Sequence, residues 1–213
     1  MGSVLYKIAK GAVRAYCALF YPLDVENGDS IPEGNGYIIC SNHLSNLDPV
    51  FLSATMNRHI HFMAKKELFD NKLLGALIKR LGAFPVERGK DGGRAINTAQ
   101  ELVKQGECIG IFIEGTRSKT GKLGRGHMGA MVIAKEVNAS VIPCCITGKK
   151  TFIKPFTKTK ITYGKPLSIE ELGLLSDDKR ALRNASNLVM EKIGQLRAEQ
   201  EAEFEAAAKK KGK

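Results

Sequence analysis

The chain has 213 residues, 43% of them hydrophobic, with 33 Lys and Arg against 22 Asp and Glu. That length and apolar share suit one domain with a real core and exclude wholesale disorder. The formal net charge of +11 calls for an anionic partner: nucleic acid, an anionic membrane or a phosphorylated substrate.

No uncharged apolar run reaches the roughly 18 residues of a spanning helix. Residues 1–22 instead place Val4, Leu5, Ile8, Ala12, Ala15, Tyr16, Leu19 and Phe20 at three- and four-residue spacings, which predicts an amphipathic helix. Its charges, Lys7, Lys10 and Arg14, are all positive. The apolar stretch is too interrupted for a signal-peptide core. Such a helix can lie in a membrane interface with its lysines at headgroup level, or it can pack on the domain. After the turn-rich stretch 26–36, Tyr37–Cys40 reads as a buried strand. Asp48-Pro49 opens a helix to about Met56, with Asp48 as N-cap. His61–Met63 and Ala83–Val86 read as strands, with one helix over Glu67–Leu81 between them despite Gly75. Asp91–Lys104 is predicted helical and stopped by Gly106. Cys108–Ile113 is an apolar strand, His127–Val137 a helix ended by Asn138, and Val141–Thr147 and Thr159–Tyr163 are strands. Ser176–Gln200 and beyond is a long polar helix, followed by a basic run at Lys209–Lys213. Alternating apolar strands and helices predict an α/β layered sheet with helices on both faces. No internal repeat or linker divides it.

The five cysteines, Cys17, Cys40, Cys108, Cys144 and Cys145, form no CxxC pair and sit mostly in apolar runs. A disulfide framework or a cysteine zinc site is therefore not expected. His59 and His61 flank Ile60 and share one strand face, but no carboxylate or cysteine lies at ligand spacing in the sequence, so no metal is expected there either.

Three polar clusters follow predicted strands, where open α/β sheets hold their ligands. In Ser41–Asp48, His43 precedes Asp48 by five residues. A turn can fold that carboxylate onto the imidazole and make it a better general base. Taken alone, the pair could equally be a helix cap and a solvated histidine. In Phe112–Ser118, Glu114 would emerge at the sheet edge, Gly115 permits a sharp turn, and Arg117 can hold an oxyanion bidentately. The third cluster, 82–89, ends a strand with Arg88 and Gly89. Two arginines beside a His–Asp pair describe a pocket for a phosphate-bearing substrate next to a base.

The ordered series NHLSNLD, GAFPVER, FIEGTRS and VIPCCITG resembles the four motifs of the glycerolipid acyltransferases. The match is best with the bacterial 1-acyl-sn-glycerol-3-phosphate acyltransferases, also called lysophosphatidic acid acyltransferases. The resemblance implies an α/β fold with a mixed central sheet flanked by helices, like that of the glycerol-3-phosphate acyltransferases, plus the N-terminal amphipathic helix. The implied layout is a membrane-interface helix over 1–22, an acyltransferase domain over 23–205 and a basic tail over 206–213. His43 would be the general base and Asp48 its orienting partner. Arg88 and Arg117 would lie near the acceptor phosphate, with Lys65 a further candidate. Glu114, Gly115 and Thr116 fall in the motif thought to contact the glycerol part. Pro143 matches the proline attributed to acyl-donor binding or to shaping the pocket.

The implied reaction moves a fatty acyl group from acyl-CoA or acyl-carrier protein to the sn-2 hydroxyl of lysophosphatidic acid, giving phosphatidic acid. It would take place at the cytoplasmic face of the membrane on a peripheral or monotopic enzyme, with no bound cofactor, no metal and no acyl-enzyme on Cys40. Glycerol-3-phosphate or another lysophospholipid would be alternative acceptors for the same chemistry. A nucleic-acid-binding module finds little support: no helix-turn-helix, RNP pattern or zinc finger is apparent, and aromatic residues make up 7%. Two departures stand out. His127 occupies a position where many relatives carry lysine, and the N-terminal helical segment is shorter than in some relatives. Lys7, Lys10 and Arg14 are expected to meet anionic lipid, and the acid-free run 147–165 adds six lysines for a membrane or an acidic carrier protein.

Overall fold

The computed structural model describes residues 4–86, 92–149, 153–176, 178 and 180–211. The expected substrate ligand Arg88 lies outside the described residues. In chain order the elements are α1 (Val4–Phe20), β1 (Leu23–Glu26), β2 (Tyr37–Ser41), α2 (Asp48–Thr55), β3 (Ile60–Lys65), α3 (Glu67–Asp70), α4 (Lys72–Arg80) and β4 (Phe84–Val86). Then come α5 (Gly92–Lys104), β5 (Cys108–Phe112), α6 (Gly129–Val137), β6 (Val141–Gly148), β7 (Thr159–Tyr163) and α7 (Ala181–Lys211).

The seven strands form one sheet in the order β1-β7-β6-β2-β5-β3-β4. All neighbours run parallel except β6 and β7, so the sheet is mixed, as expected. β2 lies at its centre, buried at every position, because its side chains feed two separate cores. Ile38 and Cys40 point into one with Ile109, Val141 and Cys145, under α5, α6 and α7. Tyr37 and Ile39 point into the other with Ile142, Cys144 and Ile161, under α1 and α2. A strand buried on both faces needs a continuous apolar run, which is why TyrIleIleCys was legible as a strand.

Several expectations are corrected. β1 was not expected: its four residues are only half buried or exposed, and its partner β7 comes more than a hundred residues later. The single helix expected over 67–81 is broken at Asn71, whose backbone is extended with ψ 110°, giving α3 and α4. α6 begins at Gly129 rather than His127, and ends as expected at Asn138 in the left-handed conformation, φ 51°. α7 continues in helical form through Lys211.

α1 packs through Cys17, which is buried, and Val13. Two of the three cations expected to meet lipid also donate to backbone within the protein, Lys10 half-buried and Arg14 exposed. Lys10 Nζ donates to the Met56 carbonyl at 2.5 Å and Arg14 Nε to the Ala54 carbonyl at 2.6 Å. These carbonyls belong to the C-terminal end of α2, where a helix leaves acceptors unsatisfied and favours positive charge. The opposite face of α1 carries Ile8, Tyr16 and Leu19, exposed by 64%, 45% and 68%.

Candidate active site

β2 and β5 are adjacent and parallel, but the chain leaves them toward opposite faces of the sheet. α2 joins the core on one face and α6 the core on the other. Diverging connections open a crevice at the C-terminal ends of such strands. The polar clusters at 41–48 and 112–118, which follow these two strands, fill it.

His43 follows β2, and its Nδ1 lies 2.7 Å from Asp48 Oδ2. Asp48 is fully buried and His43 keeps 17% of its side-chain surface. The same Oδ2 accepts the backbone N–H groups of Leu44 at 2.6 Å and Ser45 at 2.8 Å. Asp48 is thus not the N-cap expected from sequence. Leu47 occupies that position without a side-chain cap, and Asp48 is the first residue of α2. Its carboxylate faces backward into the loop and folds the histidine turn around itself. An oxygen that accepts two N–H bonds also accepts from the imidazole, so Nδ1 carries the proton and Nε2 the lone pair.

Three further contacts hold His43. Its backbone N–H donates to Glu114 Oε1 at 3.2 Å. Its carbonyl accepts from Ser118 N–H at 2.8 Å. Its ring stacks on Phe112 with centroids 3.9 Å apart and planes 13° apart. Phe112 in turn stacks on Phe62 at 5.7 Å, and Phe62 lies flat over Gly110, where an added Cβ would come within 2.2 Å of the ring. Asn42, one residue before His43 and 1% exposed, stitches the loop to β6. Its Nδ2 donates to the Ile146 carbonyl at 2.9 Å, and its Oδ1 accepts Ile146 N–H at 2.8 Å. Neither Phe112 nor Asn42 stood out as a site residue in the sequence. The signal for Asn42 was its burial potential: an Asn directly after a buried strand needs partners for all its polar atoms.

Glu114 is 7% exposed, and both its oxygens are engaged by backbone. Oε1 takes His43 N–H, and Oε2 takes Gly124 N–H at 2.6 Å. The residue therefore ties together the chain segments that follow β2 and β5. Gly115 has φ 68°, a left-handed turn that glycine tolerates best, and the His127 ring closes over it. Thr116 and Arg117 are exposed at that turn. Lys65 ends β3 and is exposed at the same edge of the sheet. Pro143 is buried within β6 opposite Cys40, against Gly164. Cys40 is fully buried, and burial pushes its thiol far up, so it offers no thiolate nucleophile.

Residues 22–147 match the family model described as Acyltransferase. A 1-acyl-sn-glycerol-3-phosphate acyltransferase of Bacillus subtilis (strain 168) is 35% identical over 182 residues, covering 83% of this chain and 89% of that protein. The chain belongs to the acyltransferase family. The enzyme of the same name from Streptococcus pneumoniae is 31% identical over 157 residues, 71% of this chain and 58% of its own length. The crystal structure of the 1-acyl-sn-glycerophosphate acyltransferase PlsC from Thermotoga maritima superposes with a TM-score of 0.70 at 23% identity, covering 91% of this chain and 81% of that one. That likeness confirms the fold of this acyltransferase. The matched region contains His43, Asp48, Glu114 and Pro143, so the crevice lies within the family's shared segment.

Proposed function

We propose that this acyltransferase carries a fatty acyl group from an acyl thioester to the sn-2 hydroxyl of 1-acyl-glycerol-3-phosphate, yielding phosphatidic acid, with His43 as general base. The relatives from B. subtilis and S. pneumoniae bear the name of that reaction. The observation that carries the reading is the 2.7 Å contact of His43 Nδ1 with Asp48, because it leaves Nε2 as the basic nitrogen beside a crevice. Nε2 removes the proton of the acceptor hydroxyl while the oxygen attacks the thioester carbonyl carbon. The carbon–oxygen bond forms, the carbon–sulfur bond breaks, and the imidazolium returns its proton to the departing thiolate. The transfer is redox-neutral, and acyl-CoA or acyl-carrier protein supplies the activated acyl group. Arg117 and Lys65, with Arg88 beyond β4, supply positive charge for the acceptor phosphate.

The enzyme works at a lipid surface, at the cytoplasmic face of the membrane. No helix among the described residues is long and apolar enough to cross a membrane. Contact instead uses the outer stripe of α1 and the neighbouring Phe156, 72% exposed, whose ring meets Phe20 at 5.8 Å. Apolar side chains of this kind can enter the headgroup region while the inner face stays on the domain.

His43→Ala is expected to lower turnover on lysophosphatidic acid by about 10²–10⁴-fold, the range of a general base, with an unchanged melting curve. Retained turnover in a folded variant would remove His43 from that role. One labelled thioester offered with lysophosphatidic acid, glycerol-3-phosphate and other lysophospholipids decides the acceptor. A stronger preference for one of the others would overturn the proposed substrate while keeping the chemistry.

A further inference from the structure

His59 immediately precedes β3 and His61 lies in it, two residues apart and on one face, with ring centroids 4.2 Å apart. The sequence shows no carboxylate near them, but the sheet supplies one. β3 and β5 pair in the register Ile60↔Cys108 and His61↔Ile109, so Glu107, just before β5, comes alongside His59. One ligand atom from each of His59, His61 and Glu107 lies within 4.8 Å of the others.

The imidazoles are already oriented by backbone. His59 Nε2 faces the Leu81 carbonyl at 3.1 Å and His61 Nδ1 the Gly82 carbonyl at 3.0 Å. A carbonyl only accepts, so each of these nitrogens carries its proton. On His61 the lone pair is then at Nε2, which is buried with no hydrogen-bond partner and stands 3.6 Å from Glu107 Oε2. That gap is too long for a hydrogen bond, and a lone pair facing a carboxylate is repulsive. It is close to the ~3.3 Å that separates two nitrogen or oxygen ligands on a tetrahedral zinc ion. An imidazole N–H held by a carbonyl is also the usual outer support of a metal-ligating histidine. Gly82 has φ 92°, and a Cβ there would come within 2.5 Å of His59 Nε2 and 3.0 Å of His61 Nδ1, so glycine lets the turn close over both rings.

We propose that His59, His61 and Glu107 form a binding site for a divalent transition metal of the zinc class. Two imidazoles and one carboxylate favour zinc and its neighbours over calcium or magnesium. The site lies at the N-terminal ends of β3 and β5, the end of the sheet away from His43. Its metal joins β3 to β5 under the turn that leads to β4, and it acts on stability rather than on the acyl transfer.

Untagged full-length protein, freed of metal by chelation, is titrated with Zn²⁺ and in parallel with Co²⁺. The expected result is one equivalent bound with micromolar or tighter affinity, a raised Tm, and the visible bands of four-coordinate Co²⁺ with nitrogen and oxygen ligands. His61→Ala and Glu107→Gln should each weaken binding by about a hundredfold, with acyl transfer in chelator unchanged. Should His61→Ala fail to fold, Glu107→Gln decides, since it keeps the side-chain shape and removes only the charge. Absence of binding at millimolar Zn²⁺, undiminished binding by Glu107→Gln, or a thiolate-to-cobalt charge-transfer band overturns the proposal.

Discussion

Asp48 concentrates three hydrogen bonds on a single oxygen: two backbone N–H groups fold the loop, and the third contact sets the tautomer of His43. Its other oxygen, Oδ1, is buried without a partner. In Asp48→Asn the amide oxygen can take the place of Oδ2 and keep all three contacts. The negative charge that would stabilise an imidazolium in the proposed mechanism is then lost. We expect kcat to fall by about 10²–10³-fold, comparable with removing one oriented charge-stabilising group, with little change in KM for the acceptor. Asp48→Ala removes the loop contacts as well and should lower both kcat and Tm. Equal effects of the two substitutions in steady-state assays and melting curves would contradict this division of labour. Glu114 shows the same economy, since its two oxygens close on His43 and Gly124. Sequence expected the Asp48 carboxylate to fold onto His43, and the loop places it there. It did not reveal that the same oxygen also gathers the Leu44 and Ser45 N–H groups, or that Glu114 binds two backbone N–H groups.

At the scale of elements, His43 rests on a ladder that crosses three strands: Gly110 in β5, Phe62 in β3, Phe112 again in β5, then His43 itself beyond β2. Gly110→Ala places a methyl group into the Phe62 ring. Overpacking of that kind costs about 1–3 kcal/mol, and the displaced ring pushes on Phe112. A misplacement of the base approaching an ångström can cost about 10²-fold. We therefore predict that Gly110→Ala loses kcat well beyond what its modest fall in Tm implies, and paired kinetics and calorimetry test this. Farther along the sheet, Lys160 is 2% exposed and bonds both Glu26 of β1 and Glu203 of α7, locking an edge strand and the last helix onto β7. The double variant Glu26→Gln, Glu203→Gln leaves a buried ammonium without its counter-charges. It should lose about 3–5 kcal/mol of stability, while Lys160→Met should lose much less. Denaturant titration separates the two cases. These pairings were invisible in the sequence because they join residues 43 and 134 positions apart.

For the whole molecule, the central strands were legible because burial on both faces demands unbroken apolar runs. β1 was not, because an edge strand buries little and needs no such run. The site was legible where it depends on residue type at a strand end, as with His43 and Arg117. It was illegible where it depends on the sheet's order: the stack under His43, the Asn42 stitch to β6, and Glu107 beside two histidines. The cations of α1 have a second task that the sequence did not show, since Lys10 and Arg14 donate to carbonyls at the end of α2. Membrane attachment is expected to use the outer apolar stripe as well as these cations. Leu19→Glu with Phe156→Glu is expected to reduce co-sedimentation with anionic vesicles at least tenfold while sparing turnover on detergent-dispersed acceptor. Undiminished sedimentation would assign the contact to another surface.

The two hydrogen bonds between Asn42 and Ile146 span 104 residues. β2 itself is paired only by β5 and β6, which are made long after it. During synthesis, His43 therefore leaves the ribosome well before the strands that fix its position. The nascent chain has no anchor for Asn42, the residue beside it, until β6 has emerged and docked. The crevice is in this way incomplete until nearly the whole sheet exists.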